Sequence, residues 1–169
     1  IELNAYVMSH WASNPLKTEK EILYDFVKAK GLPESEWEMF RRLCLLSEGG
    51  VIKGQYSTMG DTYVNWTRDD TITGDVYQKS YFDRMIERNQ VNAYLKEKEE
   101  AVRIWKEIEQ ISQKLHFPSE ELNHFIRISC SYGRIKYELF AVSWQIMLCG
   151  YVADTTKKPF NRIEMDKYI

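Results

Sequence analysis

Residues 119–149 read SEELNHFIRISCSYGRIKYELFAVSWQIMLC, and the spacing of their apolar positions decides the fold. Phe125, Ile128, Tyr132, Ile135, Leu139, Val142, Ile146 and Cys149 follow one another at alternating steps of three and four. That repeat lines one side of an α-helix, whereas a half-buried strand needs strict alternation. At about 1.5 Å per residue the stripe runs for roughly 36 Å, the pattern of a seam packed against antiparallel neighbours. Ser119 is placed to cap the helix. It is not half of a capping box, because Leu122 stands three residues on, so Glu120 and Glu121 support only the helix dipole.

Working outward, His116, Phe117 and Pro118 form a turn, and the residues before it are helical again. The segments 75–90 and 92–115 are continuous or jointed near Asn89, with Tyr94, Ala101, Trp105, Ile108 and Leu115 facing inward. Two long helices across a tight turn make a hairpin, and the 34–57 region is its natural third member. There Trp37, Phe40, Leu43, Cys44 and Val51 share a face, while Gly49 and Gly50 break the helix, kink it or let another helix approach closely. Asn14 and Pro15 stop a first helix; Thr18 and Glu21 have capping-box spacing and Gly31 suits the left-handed C-terminal position, which defines a short helix near 19–30. We therefore expect an all-α fold, an antiparallel helical bundle with a long C-terminal helical hairpin. It forms a single helical domain over 1–169 with a long loop at 58–75 and a surface tail at 153–169.

The chain has 169 residues, 44% of them hydrophobic and 14% aromatic, enough to fill one core without metals or disulfide staples. Its net charge of −2, with both signs interleaved, carries no footprint for nucleic acid and no polybasic membrane patch. The longest apolar run is far shorter than the roughly 20 residues of a membrane span. The chain opens inside a helix, so we expect it to be the C-terminal part of a longer protein. Cys44, Cys130 and Cys149 cannot all pair, and the last two lie about 28 Å apart along one helix. We expect buried thiols.

Residues 58–74, TMGDTYVNWTRDDTITG, hold the candidate site. Trp66 sits among Tyr63, Asn65, Arg68, Asp69 and Asp70, where an aromatic face could stack on a sugar ring while polar groups bind its hydroxyls. The competing reading is a loop plug, with Trp66 tucked against the bundle. Adjacent carboxylates on an extended segment diverge, so Asp69 and Asp70 do not make an acid and base pair across a glycosidic bond. Glu121 and His124 have the Glu-x-x-His spacing of di-iron bundles, but no second such motif accompanies them. His10 is a helix-face histidine without a partner at zinc-ligand spacing, and the cysteines lack a Cys-x-x-Cys pattern. No catalytic residue, metal or cofactor is expected in this chain, although a metal-dependent bundle enzyme built on Glu121 and His124 is the third reading.

The opening LNAYVMSHWASNPLKTEKEILYDFV, with Trp11, Asn14, Pro15, Thr18 and Glu21, resembles the segment that follows the catalytic barrel in α-glucuronidase-type glycoside hydrolases and related polysaccharide-degrading proteins. RISCSYGRIKYELF resembles the closing helix of the same bundle. The resemblance implies a non-catalytic accessory domain of a periplasmic or extracellular polysaccharide hydrolase, packed on an upstream catalytic domain of the same polypeptide. It also implies carbohydrate and a homodimer partner as ligands of the parent, with a loop lent to the cleft; Trp66 and its neighbours are assigned to that loop by composition alone. The alternative is a stand-alone helical protein-protein interaction module, with the three-four seam binding a partner helix. The accessory domain should expose Leu3, Val7 and Trp11, and the autonomous module should bury them.

Overall fold

A computed structural model describes residues 2–55, 83 and 85–156 of the chain. Every regular element among them is helical: α1 (Glu2–Ser13), α2 (Glu19–Ala29), a 3-10 turn (Glu34–Glu36), α3 (Trp37–Gln55), α4 (Val91–Ser112) and α5 (Glu120–Thr156). The all-α bundle and its C-terminal hairpin are as expected. α4 packs along both α3 and α5, and α1 and α2 close the end of the bundle near the hairpin turn.

Local chemistry explains the boundaries. The Thr18 hydroxyl accepts from the Glu21 N–H at 3.3 Å, while the Glu21 carboxylate accepts from the Thr18 N–H at 2.8 Å. This reciprocal capping box opens α2. Gly31 ends it at φ 76°, and Asn89, at φ 53°, separates the helical residues 85–87 from α4. The described part of the expected 75–115 region is therefore jointed at Asn89. Ser119 caps α5 by accepting from the Leu122 N–H at 3.2 Å.

The hairpin turn is stapled by a buried amide. Asn123 accepts from the Phe117 N–H and donates to the Phe117 carbonyl, both at 2.8 Å. Glu36 ties the same turn to the start of α3 by accepting from the His116 N–H at 2.8 Å. Below it lies a core of Leu23, Phe26, Val27, Phe40, Leu115 and Phe117. A second core, toward the far end of α5, gathers Tyr94, Leu95, Trp144, Met147, Leu148 and Tyr151.

Gly49 and Gly50 do not break α3, which runs continuously to Gln55. Gly50 serves close approach instead: a Cβ there would stand 2.6 Å from the Trp105 indole nitrogen. Gly54 and Gly133 do the same for the Tyr137 and Trp105 rings, at 2.1 and 2.2 Å.

One expectation is overturned. The stripe from Phe125 to Ile146 does not pack against the neighbouring helices; Phe125, Ile128, Tyr132, Ile135, Leu139, Val142 and Ile146 are each 50–67% exposed. The buried side of α5 is the opposite one, with Cys130, Tyr137, Ala141, Trp144, Leu148 and Tyr151. The reason is shape. Gly133 leaves room for the Trp105 ring of α4, which stacks on Tyr137 at 5.1 Å, and Tyr94 of α4 meets Trp144 edge-on at 4.7 Å. A face made only of large side chains offers no such recess.

Candidate functional site

The exposed stripe has the geometry of a coiled-coil seam. Written as a heptad, Phe125, Tyr132, Leu139 and Ile146 take the first position and Ile128, Ile135, Val142 and Cys149 the fourth. The position that points directly away from such a seam is filled by Cys130, Tyr137, Trp144 and Tyr151, all buried in the bundle. α5 is thus apolar on two opposite sides, and each apolar stripe of a helix is a surface for a neighbouring layer. Among the described residues only one layer is present.

Its size sets it apart from ordinary surface. Seven large side chains, each at least half exposed, amount to roughly 700–800 Å², more than the largest apolar patch of a typical monomer at about 300–600 Å². Of the positions flanking the seam, only Lys136 and Glu138 carry fixed charge; the others are Ser129, Ser131, Ser143, Gln145, Gly150 and His124. Glu138 is held by Arg134 at 2.7 Å and Lys106 at 3.2 Å. The arrangement can bind an apolar surface.

The candidate loop residues Tyr63, Asn65, Trp66, Arg68, Asp69 and Asp70 lie outside the described residues, as does most of the 153–169 tail. Glu121 and His124 are both exposed on the first turn of α5. His10 stacks on Tyr6 at 4.0 Å and has its Nδ1 3.0 Å from the Tyr6 carbonyl. Burial pushes the Cys44 thiol up to about 12 and Cys130 to about 11, which makes both poor nucleophiles. Leu3 and Val7 pack against the core around Phe26, while Trp11, Met8 and Leu16 are exposed.

Two further features escaped the sequence reading. Lys98 is buried to 2% exposure, its ammonium donating to the Lys53 carbonyl at 2.8 Å and lying 4.4 Å from the Tyr94 ring centre. Burial pushes its pKa down to about 8. Between α3 and α4 an open groove of about 540 Å³ is lined by Arg42, Arg103, Lys106 and Lys114 with one acid, Glu107. Arg42 pairs with Glu107 at 2.5 Å, so the groove is a solvated charged face with internal pairing. No protein-family model, no curated protein and no solved structure matches the chain.

Proposed function

We propose that the chain is a helical protein-protein interaction module whose working surface is the outer face of α5. The observation that carries this reading is the unbroken heptad of exposed large apolar side chains from Phe125 to Ile146. Leaving such a face in water costs free energy in proportion to its area, and covering it returns that cost as binding. The module itself is not catalytic. Hydroxyl-radical labelling of Phe125, Tyr132 and Leu139 tests it, comparing the dilute purified chain with the extract of cells that make it. Protection in the extract supports docking; full labelling of the three residues in both, with Trp144 protected throughout, sinks the reading.

A second reading is the accessory domain of a polysaccharide-degrading glycoside hydrolase, packing on an upstream catalytic barrel. It draws on the resemblance at Trp11, Asn14, Pro15, Thr18 and Glu21, and on the exposure of Met8, Trp11 and Leu16 around the end of α1. The packing of the partly buried Leu3 and Val7 against the core around Phe26 speaks for the autonomous module. The coding sequence upstream of Ile1 decides. A barrel with inward carboxylates, whose product hydrolyses polysaccharide, would establish the accessory role; a start codon or an unrelated module would remove it.

A further inference from the structure

We propose that the occupant of the α5 face is a second copy of this chain, the two α5 helices pairing along Phe125, Ile128, Tyr132, Ile135, Leu139, Val142 and Ile146. This rests on the reading of α5 as a docking surface. Three observations select a copy over other occupants.

The first is periodicity. A strict three-four repeat of seven exposed positions takes its knobs from a helix with the same repeat, and α5 is a helix that has it. Two identical stripes related by a two-fold axis are self-complementary without further adjustment. The second is area. The seven side chains, 50–67% exposed, give one partner's share of a standard stable interface, about 800 Å². The third is charge. Paired parallel and in register, Lys136 meets Ser131 of the second copy and Glu138 meets Ser143 of the second copy, so no like charges oppose across the seam. The buried backs of the two helices remain in their own bundles, so pairing needs no rearrangement of either core.

The experiment is sedimentation equilibrium of the 169-residue chain, its Leu139→Glu and Ile135→Glu variants, and an Arg103→Glu control on the α3–α4 groove. Helicity and thermal unfolding are followed in parallel. The expected result is a dimer of the parent chain and of the control, with self-association weakened about 30-fold or more in each seam variant and helicity retained. A dimer unmoved by both seam variants overturns the proposal, because it pairs through another face. A monomer whose Tyr132 and Leu139 are freely labelled overturns the second copy and leaves the docking reading standing for a different partner. A monomer whose stripe is protected means the chain covers its own seam, and both readings fall.

Discussion

Lys98 holds its ammonium group inside a bundle, and the residues around it show what makes that tolerable. The Lys53 carbonyl of α3 accepts a charge-assisted hydrogen bond from it, replacing a partner the ammonium would have in water. The Tyr94 face adds a cation–π contact. The compensation is incomplete, since burial still lowers the pKa from 10.5 to about 8. Between these values the unfolded chain binds a proton that the folded chain does not, so this group makes stability rise with pH from about 8 to 10.5 and withdraws that gain as pH falls back through 8. Over that window the increment is about 3 kcal/mol at most. Urea unfolding at pH 7.5 and pH 10.5 of the parent and Lys98→Met checks it: the parent should gain relative to the variant, and parallel changes would refute the account. Asn123 is the complementary case, a neutral group satisfied at both ends. Asn123→Ala strands the Phe117 N–H and carbonyl and should cost about 2–3 kcal/mol in the same assay. Neither residue was legible as special. A lysine in a charged helix and an asparagine near a cap look ordinary until the third dimension supplies their partners.

At the level of elements, the helix ends were legible because their signals are local: Thr18 with Glu21, Gly31, Asn89 and Ser119 each act within four residues of where they stand. The facing of α5 was not. Its two stripes, one through Phe125 and Leu139 and the other through Tyr137 and Trp144, share the helical period, and periodicity cannot tell which one a neighbour covers. What decides is the matching of recess to ring, which depends on α4. The glycines make this testable. Gly133→Ala places a methyl group 2.2 Å from the Trp105 ring, and the forced shift should cost roughly 1–3 kcal/mol. Gly49, inside the same kind of helix, has nothing within 4 Å of its virtual Cβ, so Gly49→Ala should stabilise by about 0.5–1 kcal/mol through lost unfolded-state freedom. Opposite signs in thermal unfolding would confirm that close approach, not chain flexibility, is what Gly133 provides. A loss at both positions would contradict it.

For the whole molecule, composition and hairpin spacing were sufficient to identify an all-α bundle, yet the α5 stripe proposed as its docking surface was read first as interior and only in the alternative as a partner-binding seam. The candidate loop at Trp66 and the seam at Leu139 were both reached from residue type, but only the seam has a described environment. Its apolar character makes a prediction that separates it from the basic groove. Pairing through Arg103 and Lys114 would be electrostatic and would weaken steeply as salt shortens the screening length from about 10 Å to 3 Å. Pairing through the seam puts almost no charge at the contact, so its affinity should change little between 0.1 M and near-molar salt, and sulfate should strengthen it. Cooling should weaken it, because the apolar driving force fades toward low temperature and burial of the stripe carries a negative heat-capacity change. Sedimentation equilibrium at two salt concentrations and at two temperatures reads all three effects. A dimer that tightens on cooling and dissolves in salt would be held by charge, and the seam of α5 would then be facing water for some other reason.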